Sequence, residues 1–556
     1  MLSLLEKRPW LKNYDYKFPW TINYPKIPVF RLLRDAVSRD PDKAATWFYG
    51  SEITFWEMYM TSIRMANALK ELGIQKGDRV GLLMPNCPQT VISFWSISAL
   101  GAIIVNLNPM LTVDEITYCQ KVAEMKAVIT FEMCIPLVKS LCQKTDLPIV
   151  LVTKVSDFIN GSEKSTAKSL GLEEGWYHFS EVLDASTSTK PPYVDIDVME
   201  DPVLIQFTGG TTGIPKGATI THYNFVAACF QTYLVGQSMI WDMKDLNLMC
   251  TLPLVHIFGE LSGLGWGVLN HATAILVPRF NIDEIFDILD KFDKITFWNM
   301  VPTMWAAIIS HPKAAEYHLE KKVAIMGSGG GPMPQEYLGR IHDLHLFFME
   351  GWGMSETCGE GTATPTMGWK KEYSIGFPYP DNDVRFVNPD TLEDVEPGTP
   401  GEMWMKGPTV MKGYWNNPEA TEDVFHDGWL RTGDLAYMDE DGFIFIVDRL
   451  KDMIIAGGYN IYPREIDDVL FKHPDVIDAI TIGIPDAYRG ETVKSFIQLA
   501  EGATVTEEEI IKYCREHLSA YKVPRFIEFR AALPHSAVGK ALRRKLRDEE
   551  IAKLKK

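Results

Sequence analysis

Apolar runs of four or five residues recur along the first two thirds of the chain, at 80–84, 103–107, 127–130 and 149–153, and again at 203–207, 248–252, 273–277, 295–298, 323–326 and 346–349. Between them lie longer amphipathic segments, such as 282–292 and 302–310, whose apolar residues return at helical spacing. Runs without polar alternation suit strands covered on both faces, as in a parallel sheet with helical crossovers. The pattern therefore predicts an α/β protein with large, parallel-rich sheets. From 374 to 447 it changes to strands separated by turns rich in Gly, Pro and Asp (GFPYPDND, VEPGTPGE, MDEDGF), which predicts a small antiparallel region closing the large N-terminal domain. Beyond 448, a helix at 463–471, strands at 479–484 and 494–499 and a helix at 506–517 predict a smaller α+β C-terminal domain. The expected division is 1–447, a hinge at 448–452, and 453–556.

At 556 residues the chain exceeds what one core supports, in keeping with two domains. Its net charge of -18 argues against nucleic-acid binding, yet leaves polyanionic small molecules open, because backbone N–H groups and a few cations hold these locally. The eight cysteines show no CxxC pair and no metal-ligand spacing, which points to a reducing, cytoplasmic setting. Glu6, Lys7 and Arg8 come too early for a secretory leader. The charge-free stretch 80–113 is interrupted by Asn86, Pro88, Gln89, Gly101, Asn106, Asn108 and Pro109, so it reads as buried strand and helix, not as a membrane span. No transmembrane segment is expected, and peripheral membrane contact is left open. The basic tail with Arg543, Arg544, Lys545 and Arg547 reads as a solvated helix face.

Chemistry concentrates in FTGGTTGIPKG, residues 207–217, which follows the strand at 203–207. Its glycines let backbone N–H groups converge, Thr208, Thr211 and Thr212 add hydroxyls, and Lys216 adds a cation, so the loop suits a polyphosphate. It is not a Walker A loop, because Ile214 and Pro215 separate Gly213 from Lys216. This segment resembles the phosphate loop of the adenylate-forming superfamily of acyl-CoA synthetases, adenylation domains and firefly-type luciferases. The likeness continues in order through LVHIF (254–258), GSGGGP (327–332), GWGMSET (351–357), GYW (413–415), GWLRTGD (428–434), DRLKD (448–452), GGYNIYPRE (457–465) and Gly539-Lys540. It spans the chain from about Trp10 to the C-terminus, and is strongest toward bacterial and archaeal fatty-acid:CoA ligases.

The resemblance implies an acid:CoA ligase (AMP-forming) using ATP, Mg²⁺ and coenzyme A, with a C-terminal domain that moves between half-reactions. It places Thr208, Gly209, Gly210, Thr211, Thr212, Gly213, Lys216 and Ser355 on the phosphates and Glu356, with Thr208, at the metal, where hard Mg²⁺ favours oxygen ligands. Trp352, where the family usually has Tyr, stacks on adenine, within Glu350-Gly351-Trp352-Gly353-Met354 and beside Gly329, Gly330 and Gly331. Asp434 accepts from the ribose hydroxyls and Arg449 is a second ribose or phosphate contact. His256 orients the substrate carboxylate, and Lys540 bridges the α-phosphate and the carboxylate as charge builds. Lys451 is the hinge, and Gly457, Gly458 and Tyr459 meet the pantetheine arm.

For the acid, the expected lining is His256, Phe258, Glu260, Trp298, Met300 and Gly329. A charged Glu260 and a bulky Trp298 in an alkyl tunnel predict a preference for compact aromatic or alicyclic acids over long chains, so both a medium- to long-chain fatty acid and a compact acid stay open. A ligase loading an acyl carrier protein and a non-catalytic acyl or nucleotide binder are the other readings; retention of Glu356, Asp434 and Lys540 speaks against the second.

Overall fold

The computed structural model describes residues 8–14, 17–208, 215–456, 459–486, 488–536 and 541–554. Two large sheets form the N-terminal part. In one, Phe348–Trp352, Val323–Ser328, Ile295–Met300, Asn247–Cys250, Thr273–Leu276 and Ala44–Phe48 lie side by side and parallel. In the other, Pro202–Thr208, Ile103–Leu107, Arg79–Leu83, Ala127–Phe131, Ile149–Thr153 and Tyr177–His178 do the same. The stretch 80–113 resolves into a strand, the helix Pro88–Ala99 and a second strand. Every residue of that helix is buried, which explains why it carries no charge on any face. Among the described residues no helix is long and apolar enough to cross a membrane.

One core lies between the sheets, where Phe94, Trp95, Phe225, Leu264 and Trp266 are buried. A second covers the outer face of the first sheet and holds Trp298, Met300, Trp305 and Met326. Helix His222–Tyr233 packs in the first, begun by a capping box in which Thr221 accepts from Asn224 N and Asn224 answers to Thr221 N. The segment Ile257–Glu260, Leu261–Trp266 and Gly267–Leu269 lies beside it, with a π turn in its middle. A Cβ at Gly265 would sit 2.9 Å from Cys229 Sγ, so glycine is what lets the two segments approach.

The antiparallel region expected from 374 to 447 forms from Asp383–Val387, Gly401–Lys406, Trp429–Met438 and Ile444–Arg449, and buries Trp10 from near the N-terminus. From Ile454 onward the chain builds a separate five-stranded sheet with its own core. Its strand Phe526–Phe529 pairs parallel to Gly490–Leu499, so the sheet is mixed. The basic tail departs from expectation. In helix Arg543–Leu554, Leu546 is fully buried and Arg543 donates to buried Asp467 at 2.5 Å, so this face is partly an internal ion pair and not simply a solvated one.

Candidate active site

The carboxyl ends of parallel strands are where an open α/β sheet leaves space for a ligand. Here Ser328, the last residue of its strand, pairs with Glu350 on the adjacent strand, which brings Gly329–Gly331 beside Gly351–Ser355. A Cβ at Gly329 would lie 3.2 Å from the Phe258 ring and 3.3 Å from Gly351 O, so the missing side chain is what lets three sequence-distant segments converge. Burial pushes the Glu350 carboxyl up to about 7, against the Met333 N–H that it accepts at 3.4 Å. Gly353 is held against Gly359, whose carbonyl leaves no room for a Cβ, and Met354 N donates to Thr357 in the turn that follows.

Trp352 is anchored at both its ring and its nitrogen. The ring lies against Gly361, where a Cβ would be 2.4 Å away, and Nε1 donates to Asp434 Oδ2 at 2.8 Å. Asp434 is buried and pairs across two antiparallel strands with Arg449, whose Nε stands 3.1 Å from Oδ1. Indole, carboxylate and guanidinium thus form one connected group. Asp434 lies inside the strand Trp429–Met438 at an irregularity in its pairing, which is fixed by Glu402, accepting from Arg431 Nε at 3.1 Å and Gly433 N at 3.3 Å, and by Thr432, which donates to Met403 O.

A second group surrounds Glu356, buried in the one-turn helix Ser355–Thr357. Tyr414 donates its phenol to Glu356 Oε1 at 2.7 Å, and the Lys216 ammonium stands 5.1 Å from the centre of the Tyr414 ring. Thr208 and Lys216 face each other at the ends of paired antiparallel strands, so the segment expected to hold phosphate begins and ends at one place. The remaining loop residues expected on phosphate, Gly209, Gly210, Thr211, Thr212 and Gly213, lie outside the described residues, as do Gly457, Gly458 and Lys540. Tyr459 is described; it is exposed at the start of the second strand of a hairpin and stacks on Tyr521 with centroids 4.6 Å apart. Lys451 lies two residues beyond the strand Ile444–Arg449.

His256 caps the Ile257–Glu260 turn, its Nδ1 accepting from Phe258 N at 3.3 Å, and so sits beside the Phe258–Gly329 contact. Three expected lining residues are corrected. Trp298 and Met300 are fully buried in the outer core, with Trp298 Nε1 donating to Thr251 and its ring edge-on to Trp305. Strand pleating puts their neighbour Asn299 on the opposite face, where Nδ2 donates to Ser262 at 2.8 Å and Oδ1 occupies the space a Cβ on Gly327 would need. Glu260 is buried, with both oxygens 3.0–3.1 Å from Asn106 Nδ2, and burial pushes its carboxyl up to about 8. At neutral pH it is a neutral acid bridging to the second sheet, not a charge facing an alkyl chain.

The residues suit adenosine triphosphate with a divalent cation. Among the described residues no cluster of three His, Cys, Asp or Glu could hold a metal alone. A single buried carboxylate, with one oxygen tied by Tyr414, instead matches a hard cation that takes the rest of its oxygen shell from phosphate and water. The glycine-backed indole and the buried carboxylate joined to it match a nucleoside.

Residues 33–415 match the family described as AMP-binding enzyme, and residues 465–540 match its C-terminal domain. A long-chain-fatty-acid--CoA ligase of Bacillus subtilis (strain 168) is 36% identical over 98% of each chain. The anthranilate CoA ligase AuaEII, solved with anthranoyl-AMP, is 25% identical with a TM-score of 0.82, covering 95% of this chain and 99% of its own. The O-succinylbenzoate CoA synthetase MenE of Bacillus subtilis, solved with ATP and magnesium, is 27% identical with a TM-score of 0.77, covering 93% and 98%.

Proposed function

Because the chain belongs to the AMP-binding enzyme family, we propose that it is an ATP-dependent ligase that joins a long-chain fatty acid to coenzyme A. In the first half-reaction a carboxylate oxygen of the acid attacks the α-phosphorus of ATP, and the bond to the bridging oxygen breaks to release pyrophosphate. In the second, the CoA thiolate attacks the acyl carbonyl of the adenylate and AMP leaves. The observation that carries the chain-length reading is the full-length likeness to the long-chain ligase. The structure removes the argument against it, since Trp298 lies in the outer core and Glu260 is a neutral, internally bonded acid.

Each side chain has a role that its surroundings support. Trp352 offers a rigid aromatic face for adenine, held by Gly361 and Asp434. Asp434 retains acceptor capacity beyond its two present bonds and takes the ribose hydroxyls, while Arg449 keeps that carboxylate oriented. Lys216, Thr208 and Ser355 meet phosphate oxygens, and Glu356 holds Mg²⁺, which when bound neutralises charge on the triphosphate. His256, at the Phe258–Gly329 corner, orients the substrate carboxylate. Lys540 supplies the adenylation cation by resemblance, Lys451 is the hinge between 1–447 and 453–556, and the hairpin whose second strand begins at Tyr459 receives the pantetheine arm. A cytoplasmic location is supported by eight unpaired cysteines.

Acid-dependent AMP formation measured across a panel tests the substrate reading. Its kcat/KM should rise from octanoate to palmitate and stay far lower for benzoate and cyclohexanecarboxylate. A maximum at a compact acid would refute it.

A further inference from the structure

Tyr414 belongs to a two-residue strand whose backbone alone fixes its place. Gly413 and Tyr414 pair with Thr219 and Ala218, and the flanking Lys412 N and Trp415 N donate to Thr219 O and Gly217 O at 3.0 and 2.7 Å. Thr421 secures the strand from behind, its hydroxyl accepting from Tyr414 N at 2.9 Å and its methyl filling the space beside Gly413. On the same stretch, Met411 N donates to Glu356 O at 2.8 Å. The side chain is therefore not needed to hold the strand, yet it makes two contacts that both lead to the triphosphate end of the site. Its hydroxyl donates to Glu356 Oε1 at 2.7 Å, and its ring lies 5.1 Å under the Lys216 ammonium.

We propose that Tyr414 is a positioning residue that aligns the metal carboxylate and the phosphate-loop lysine together, the phenol turning Glu356 and the ring face holding Lys216 at the base of the loop. This rests on the ATP and Mg²⁺ reading above. Among the described residues Tyr414 donates to Glu356 Oε1, which fixes the rotation of the carboxylate. A lysine over an aromatic face keeps its charge while losing freedom to swing, which prepares the loop before ATP arrives.

The two contacts separate by substitution. Tyr414→Phe keeps the ring and removes the phenol; Tyr414→Leu removes both. Equilibrium ATP binding is measured by calorimetry on the full chain, once with Mg²⁺ and once in EDTA. Loss of an outer partner of a metal ligand typically costs about 10–100-fold in metal affinity. Tyr414→Phe should accordingly weaken MgATP binding by about tenfold or more, leave binding in EDTA within about twofold of wild type, and add nothing further in a Glu356→Gln background. Tyr414→Leu should weaken binding in both buffers. If Tyr414→Phe binds as wild type in Mg²⁺, weakens binding equally with and without metal, or acts additively with Glu356→Gln, the assignment is overturned. A wild-type chain that binds no ATP in either buffer would instead overturn the ligase reading beneath it.

Discussion

Replacing Glu260 with Gln should change how stability depends on pH while leaving the fold intact. The carboxyl is fully buried on the turn that starts at His256, and its hydrogen-bond partner, Asn106 Nδ2, also reaches Gln206 Oε1 at 3.1 Å on the strand Pro202–Thr208. The groups that sense its charge are Cys229 and Cys358, both themselves buried near Glu360, and among the described residues Glu260 has no cationic partner. Burial raises its carboxyl from 4.5 to about 8, with the Asn106 hydrogen bond opposing. The folded chain therefore keeps a proton that the unfolded chain releases between those values. Stability should fall by about 1.4 kcal/mol per pH unit across this interval as pH rises, and the full loss is reached above the folded value. From pH 5.5 to 7.5 this amounts to roughly 3 kcal/mol from this one group. Gln fills the same space, retains an acceptor for Asn106 and does not titrate. Glu360, raised to about 8, and Glu350, raised to about 7, add slopes of the same sign in both proteins and cancel in the comparison. Melting curves of wild type and Glu260→Gln at pH 5.5, 6.5 and 7.5 should thus diverge, the variant gaining several degrees relative to wild type at the alkaline end, on a scale of about 2–4 °C per kcal/mol for mid-sized domains. Parallel curves would refute the neutral, buried acid.

Lys540→Ala should slow adenylation about a hundredfold or more, as the loss of one charge-stabilising donor does, while thioester formation from supplied acyl-adenylate survives; pyrophosphate release and CoA consumption, measured separately, check this, and equal losses would contradict it. Lys451→Pro fixes φ at the proposed hinge and should impair one half-reaction at least about tenfold more than the other, read in the same two assays.

Much of the fold is legible in the sequence because burial on both faces leaves strands uninterrupted by charge, as at Ile103–Leu107 and Ala127–Phe131. The same property hid the pleat. In Ile295–Met300 every residue is buried, so composition does not reveal that Trp298 faces the outer core while Asn299 faces Ser262. Alternation counted from Asn299, the polar residue of the run, is the signal that would have separated them. Asp434 and Arg449, fifteen residues apart, came together because a hairpin places them opposite each other. The Trp352–Asp434 and Glu356–Tyr414 bonds span 82 and 58 residues, and no local pattern announces them. Trp352, read from sequence only as a substitute for Tyr, proves to carry a donor that Asp434 accepts. By sequence Glu260 and Arg543 are charges facing tunnel and solvent, since one-dimensional patterns do not report that burial raises a carboxyl or that a guanidinium meets a buried Asp467.

The central claim is that an acyl-adenylate lies between acid and thioester, and an isotope experiment follows it directly. Palmitate carrying ¹⁸O in both carboxyl oxygens is converted with ATP, Mg²⁺ and CoA, and the nucleotide product is analysed by mass spectrometry. Attack of the carboxylate on the α-phosphorus leaves one ¹⁸O in each AMP formed, none in pyrophosphate, and one palmitoyl-CoA per AMP. Unlabelled AMP, or label in inorganic phosphate with ADP as the nucleotide product, would contradict the account.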